Sequence, residues 1–171
     1  MSRILLTGSR NWRFHEKLGA ALAAAIKHVP WTDDDTPPTI VEGEASGLDR
    51  MARAAAEHSG IPVDPHEANW SKGHHAGHMR NQHMVNLGAD LAIGFPTPGA
   101  RGTWDGMLRA RRAGIELWVV ASWLDTRLID PAEVSAFLNA SCPADIPVRL
   151  RREPVALASR SLDEYCLTCA A

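Results

Sequence analysis

The chain has 171 residues, of which 45% are hydrophobic, and a formal net charge of −2. This length suits one domain with an ordinary core, and no apolar run is long enough to cross a bilayer. The small net charge disfavours a general nucleic-acid binder, although a local basic groove stays open. The three cysteines all follow residue 140 and form no disulfide framework, so we expect a reducing, cytoplasmic setting.

The first part of the chain alternates short apolar runs with helical patterns. Residues 3–7 favour a buried strand over a signal peptide, because the apolar run is short and ends at Gly8. Pro62 in the third apolar run indicates a sheet edge or a strand start. The patterns that follow the first strand predict a helix over 15–28, a polar loop over 31–38, a strand over 39–41, a helix ending at 57 or 58 and a strand over 61–63.

The same alternation continues to residue 120. Residues 67–77 are polar and without period, which predicts a loop. Next come a helix from 76 or 78 to about 87, a strand over 90–95, a helix opening near Thr103 and Trp104, and a strand over 115–120. Strands that alternate with helices predict an α/β domain over residues 1–121, with a mostly parallel sheet of about five strands and helices on both faces.

Residues 122–171 are predicted to form a small C-terminal extension. Their pattern contains a short helix that begins near Pro131 and ends near Asn139, and a strand over 148–151. The α/β alternation does not continue here.

Three glycine-containing segments follow predicted strands, at residues 8–12, 43–50 and 98–105. A strand, a glycine loop and a helix in succession present backbone N–H groups to an anion. Parallel sheets bind ligands at the carboxyl ends of their strands, where all three segments fall. The segments therefore predict a site for a nucleotide-type ligand.

The order of the motifs is more specific than any one of them. They are Leu6-Thr7-Gly8-Ser9-Arg10-Asn11-Trp12, Glu42-Gly43-Glu44-Ala45-Ser46-Gly47-Leu48-Asp49-Arg50, Arg80-Asn81-x-x-Met84 and Pro98-Gly99-Ala100-Arg101-Gly102-Thr103. This order resembles the YspA/cpYpsA-related branch of the SLOG superfamily, which includes the Lonely Guy phosphoribohydrolases and the DNA-processing protein A family. The resemblance implies a Rossmann-like fold that binds a nucleotide or nucleotide derivative, and it implies no particular reaction.

The expected ligand-binding residues lie in and around these motifs. Arg10 can clamp a phosphate through charge-assisted hydrogen bonds of about 1.5–3 kcal/mol each. Trp70 and Trp104 are candidates to stack on a base, and Trp104 is favoured because it adjoins the third glycine loop. Asp49 and Arg50 either contact the ligand or pair with neighbours to hold their loop. The predicted set is Gly8, Ser9, Arg10, Gly43, Gly47, Asp49, Trp70, Arg80, Asn81, Gly99, Arg101, Gly102, Thr103 and Trp104.

The candidate catalytic residues are Arg80, Asp105 and Glu44. By resemblance, Arg80 aligns with an arginine that the phosphoribohydrolases use together with a glutamate. That glutamate lies three residues after the threonine of their glycine motif. That position is Gly106 here, and Asp105 would project from a different helix face because one residue is a rotation of about 100°. Glu44 stands where the branch usually has glycine, and we expect its carboxylate to point away from a bound phosphate.

We predict no metal and no cofactor. His74 and His78 have the spacing of a zinc pair on a helix, but no acid or cysteine adjoins them in sequence, which favours a loop lining the ligand pocket. Cys166 and Cys169, with Cys142, have no evident fourth ligand.

Three functions stay open. The favoured one is a domain that senses, sequesters or carries a nucleotide-derived small molecule. The second is hydrolysis of the N-glycosidic bond of a nucleoside 5′-monophosphate, and the third is single-stranded DNA binding, against which the small net charge counts. We expect no membrane partner, and a homo-oligomer is a hypothesis by analogy with similar α/β domains.

Overall fold

The computed structural model describes residues 1–31, 36–97 and 99–120. Within these ranges the chain alternates strands with helices, and a short 3-10 helix, Trp70–His75, precedes the third α-helix. The other elements are β1 (Arg3–Gly8), α1 (His15–His28), β2 (Thr39–Glu42), α2 (Leu48–His58), β3 (Val63–Pro65), α3 (Ala76–Asn86), β4 (Leu91–Phe95), α4 (Arg101–Arg112) and β5 (Glu116–Val119). None of the helices in these ranges is both long and apolar enough to span a bilayer.

All five strands pair in parallel, in the order β3-β2-β1-β4-β5. β1 lies at the centre, with Leu5 opposite Val41 of β2 on one side and Ala92 of β4 on the other. The chain builds the sheet outward from β1 to β3 and then returns to add β4 beside β1. The strand order therefore reverses between β1 and β4, and a crevice opens at the carboxyl ends of these two strands.

Each face of the sheet has its own hydrophobic core, because successive strand side chains point to opposite faces. Leu5 packs with Met84 and Met107 in the core beneath α3 and α4. Its neighbours Ile4 and Leu6 pack on the other face, in the core beneath α1 and α2. The predicted α/β sheet with helices on both faces is confirmed.

The element bounds agree with the sequence pattern except at three places. β3 does lie at the sheet edge, but it begins after Pro62, since the Ile61 N–H donates to Ala56 O and ends α2 instead. The predicted loop over 67–77 is wrong: a 3-10 helix begins at Trp70, and the Asn69 side chain accepts a hydrogen bond from the Ser71 N–H at 3.1 Å. α4 begins at Arg101, before the predicted position. The predicted helix and strand after residue 121 lie outside the described residues.

Gly8 allows α2 to pack directly on the end of β1, and substitution tests this contact. A Cβ at Gly8 would overlap the Leu48 side chain, including its Cβ, so α2 would have to move. We expect Gly8→Ala to lower the free energy of unfolding by about 1–3 kcal/mol, as overpacked cores do. Urea denaturation with intrinsic fluorescence measures the change.

Gly19→Ala is the matched control, because a Cβ at this exposed position in α1 has nothing within 4 Å. We expect it to raise the free energy of unfolding by about 0.5–1 kcal/mol through helix propensity. Equal effects of the two substitutions would contradict the packing argument.

Candidate functional site

A cavity of about 330 Å³, called the main cavity below, opens at the carboxyl ends of β1 and β4. It lies at the strand-order reversal, and its volume is near the lower end of the roughly 300–1,000 Å³ typical of small-molecule sites. Its walls are Leu6, Thr7, Gly8, Ser9, Arg10, Asn11, Ala45, Asp49, Trp70, His74, Gly77, His78, Arg80, Asn81, Met84, Ala100, Arg101, Gly102 and Thr103.

The turn after β1 is tied to the segment after β4 by Ser9. Its Oγ lies 2.6 Å from Thr97 Oγ1 and accepts a hydrogen bond from the Asn11 N–H at 3.1 Å. The Ser9 N–H donates to Phe95 O at 3.1 Å, and the residue is 4% exposed. The Ser9 hydroxyl therefore shapes the main cavity by joining its two sides.

Thr7 and Gly106 meet where α4 crosses β1. A Cβ at Gly106 would lie 2.5 Å from Thr7 Oγ1 and 3.1 Å from its Cβ, so Thr7 fills the space that a side chain at position 106 would need. Position 106 is the one that the resemblance aligns with the glutamate of the phosphoribohydrolases. A glutamate here would require the Thr7 side chain to shift.

Three arginines give the main cavity a positive wall. Arg10 and Arg101 are exposed, and Arg10 Cζ lies 5.4 Å from the centroid of the Trp70 ring, a cation–π contact. The Arg80 side chain is 14% exposed, donates from Nη1 to Gly43 O and donates from Nε to Asn81 Oδ1 at 3.0 Å. Burial lowers the pKa of Arg80, and Asp49 opposes this effect.

Three N–H groups of the loop after β2 donate to nearby carboxylates. Those of Gly43 and Ala45 each donate to Asp49 Oδ2 at 3.2 Å, and the Glu44 N–H donates to Glu42 Oε2. The expectation that these amides are open to a phosphate is therefore corrected. For Asp49 the sequence left open a ligand contact or a role in holding the loop, and its hydrogen bonds are those of a residue that holds the loop.

Asp49 itself is 4% exposed, and burial raises its pKa to about 6, against the opposing charge of Arg80. Its Oδ2 lies 3.8 Å from Arg80 Nη1, while Oδ1 has no hydrogen-bond partner among the described residues. Among these residues it is the one carboxylate on the main-cavity wall. The Asp49 carboxyl group therefore titrates closer to neutral pH than an ordinary aspartate does.

The two candidate catalytic acids, Glu44 and Asp105, do not line the main cavity. Glu44 has a φ of 55°, a left-handed conformation that glycine adopts more readily, and its carboxylate pairs with Arg53 at 2.7 Å. Asp105 accepts hydrogen bonds from Arg109 Nε at 2.9 Å and Asn81 Nδ2 at 3.3 Å and lies 3.0 Å from His78 Nδ1. Burial raises the pKa of Asp105, but these partners outweigh burial and hold it below its ordinary value.

The two tryptophan candidates differ in exposure. Trp104 is 4% exposed and packs in the core beneath α3 and α4, so the favoured stacking role of Trp104 is corrected. Trp70 is 52% exposed and lies on the main-cavity wall. A tryptophan next to a glycine loop was a poor guide here, because α4 turns that side chain into the core.

Some of the remaining predicted residues line the main cavity and others do not. Gly8, Arg101, Gly102 and Thr103 line the main cavity, and Asn81 lines it while donating to Gly102 O at 3.1 Å. Gly43, Gly47 and Gly99 do not line it. Sequence reasoning missed Thr7, Asn11, Ala45 and Ala100, which adjoin predicted residues, and Gly77 and Met84 on α3.

His74 and His78 line the main cavity, as the pocket interpretation of the histidine-rich segment predicts. In residues 1–31, 36–97 and 99–120, no three His, Cys, Asp or Glu side chains are grouped so that they could hold a metal ion. Cys142, Cys166 and Cys169 lie outside the described residues.

Comparison with known proteins identifies the family. A family model for the YspA, cpYpsA-related SLOG family matches residues 2–73. Gene 61 protein of Mycobacterium phage D29 is 36% identical over 121 residues, which are 67% of this chain and 93% of the phage protein. The chain belongs to the YspA, cpYpsA-related SLOG family.

A solved structure supports the fold. The X-ray structure of DNA processing protein A (DprA) from Streptococcus pneumoniae matches 90% of this chain with a TM-score of 0.60 and 14% sequence identity. The chain spans about three fifths of that protein, since 62% of DprA is covered. The likeness shows the Rossmann-like α/β fold that the resemblance implied.

Asp49→Asn tests the raised pKa. The folded-state value of about 6 exceeds the ordinary 3.8, so the proton favours the folded state below about pH 3.8, and this contribution is lost as the pH rises through about 6. We expect the unfolding free energy of the wild type minus that of Asp49→Asn to fall by on the order of 2–3 kcal/mol between pH 4 and pH 7.

Urea denaturation of both proteins at several pH values measures this difference. Other titrating groups, such as Asp64 and Asp105, are present in both proteins and cancel. A difference that does not change with pH would contradict the raised pKa of Asp49.

Proposed function

We propose that this protein binds a nucleotide or nucleotide derivative in the main cavity, as a sensor, sequestering or carrier domain. The observation that carries the proposal is the cavity at the β1–β4 reversal with Arg10, Arg80 and Arg101 on its wall. A cavity at this place in a parallel sheet is where nucleotides bind in many α/β proteins. Its positive wall suits a phosphate group.

Arg10 and Arg101 are the proposed phosphate-binding residues. They are exposed and reach the main cavity from two sides, one after β1 and one at the start of α4. The N–H groups of Arg101 and Thr103 already donate to Gly99 O at 2.8 Å and Ala100 O at 3.0 Å. We therefore assign the phosphate to the guanidinium groups, with the positive end of the α4 dipole adding to their attraction.

Trp70 is the proposed contact for the base. Its half-exposed ring offers a flat apolar face on the same wall, and flat aromatic groups bind bases at little cost in conformational entropy. Arg10 already stacks against this ring, which shows that the ring accepts a planar cationic group at 5.4 Å. The phosphate and the base would then contact neighbouring residues.

The positions and partners of the carboxylates favour binding without bond cleavage. Cleavage of a ribosyl C–N bond needs a carboxylate to stabilise an oxocarbenium-like state. Glu44 and Asp105 are engaged by Arg53 and Arg109, and Gly106 has no side chain. Asp49 does line the main cavity, but its carboxylate is engaged by the Gly43 and Ala45 N–H groups and pairs with Arg80.

Arg101→Ala tests the phosphate contact. Loss of one charge-assisted hydrogen bond of about 1.5–3 kcal/mol should weaken binding of a nucleoside 5′-monophosphate roughly 10- to 100-fold. Isothermal titration calorimetry with AMP, GMP, CMP and UMP measures the affinities.

Arg111→Ala is the matched control, because it removes the same charge from the same helix away from the main cavity. Equal affinities for the two variants would contradict the assignment. Binding of a single-stranded oligonucleotide that exceeds mononucleotide binding and falls steeply with added salt would favour the DNA alternative that the likeness to DprA raises.

Incubation with the same four monophosphates tests for hydrolysis. We expect the nucleotides to be recovered intact by liquid chromatography, with no free base, because the one carboxylate on this wall among the described residues, that of Asp49, is engaged by the Gly43 and Ala45 N–H groups. Release of base that disappears in Asp49→Asn would overturn the binding-only form of the proposal. The wild-type release rate before and after heat inactivation is the control for contaminating chemistry.

A further inference from the structure

A second cavity of about 230 Å³, called the side cavity below, adjoins the main cavity on the side of β2. It lies against the loop after β2, at residues 43–46, and against Arg50 in the first turn of α2. Four residues belong to both cavities: Arg10, Ala45, Trp70 and Arg80. The two spaces are therefore neighbours along the carboxyl edge of the sheet.

The residues between the two cavities carry positive charge. Burial is the main cause that lowers the pKa of Arg80, and repulsion from Arg10 adds to it against the attraction of nearby carboxylates, so the two guanidinium groups act on each other at this boundary. Arg80 has an ion pair with Asp49 at 3.8 Å, whereas Arg10 has no ion pair within the part of the chain that the structure describes. An anion at the boundary would relieve this repulsion.

The side cavity has a positive residue of its own. Arg50 is exposed and lines the side cavity but not the main cavity. Of the two acids on the same wall, Glu44 pairs with Arg53 at 2.7 Å, and Glu67 is exposed. Among the described residues, the side-cavity wall therefore carries three guanidinium groups, those of Arg10, Arg50 and Arg80, and two carboxylates.

We propose that the ligand is bipartite, a dinucleotide whose linking phosphates lie against Arg10, Arg80 and Arg101, with one nucleoside in the main cavity and the other in the side cavity beside Arg50. This inference rests on the proposed function of the main cavity. Two adjoining spaces joined at a positively charged boundary fit a ligand with a central anionic link. Trp70, on the wall of both cavities, can contact either base.

Calorimetry with AMP and with diadenosine 5′,5′-diphosphate, and with the guanosine counterparts, tests the inference. We expect the dinucleotide to bind wild type at least 10-fold more tightly than the monophosphate. Arg50→Ala should remove most of that gain and leave monophosphate affinity unchanged. Arg101→Ala should weaken both probes, and Arg111→Ala should weaken neither.

Each other result has a defined meaning. If the monophosphate binds in an Arg101-dependent way but the dinucleotide gains nothing, or if Arg50→Ala does not reduce the gain, the bipartite ligand is overturned and the proposed function stands. The bipartite ligand is also overturned if Arg50→Ala weakens the monophosphate as much as the dinucleotide, or if a single-stranded oligonucleotide binds more tightly than both. If neither probe binds, the proposed function fails together with this inference.

Discussion

The buried carboxylate of Asp49 is the contact on which the shape of both cavities depends. It accepts hydrogen bonds from the Gly43 and Ala45 N–H groups, and so holds the loop after β2 in place. Arg80 reaches the same loop from α3 and donates to Gly43 O. A Cβ at Gly43 would overlap the Arg80 guanidinium, so a larger residue at position 43 would displace that group. Because burying a charge is costly, Asp49 and Arg80 stabilise each other only in this arrangement.

The same part of the molecule that forms the candidate site also bears on what reaction it can perform. A Cβ at Gly106 of α4 would overlap the Thr7 side chain of β1, so a glutamate at this position would require that side chain to shift. Asp105, one residue away, points into the α3–α4 contact and is held there by Arg109. The fold is thus compatible with a shared ligand class, while the chemistry of the hydrolases does not follow from the fold.

Most of the fold and about two thirds of the candidate site could be predicted from the sequence. The period of apolar residues located α1 and the strands, and the glycine motifs located the turns that line the main cavity at Gly8, Arg10 and Gly102. The failures have different causes. The 3-10 helix at Trp70 has no apolar period and depends on a side-chain cap from Asn69. Trp104 packs in the core with Met107 and Leu108 of the same helix, so its place beside the glycine loop did not decide where its side chain lies.

By itself the sequence determined the α/β class, the parallel sheet and the strand ends at which the main cavity lies, because these follow from local periodicity and turn chemistry. Only the tertiary structure decided which polar groups remain open to a ligand. The loop amides at Gly43 and Ala45 are taken by Asp49, and the carboxylate of Glu44 by Arg53. Such pairing depends on residues that are close in space through packing of α2 and α3 on the sheet. Hydrogen bonds of this kind leave no pattern in the spacing of residues along the chain.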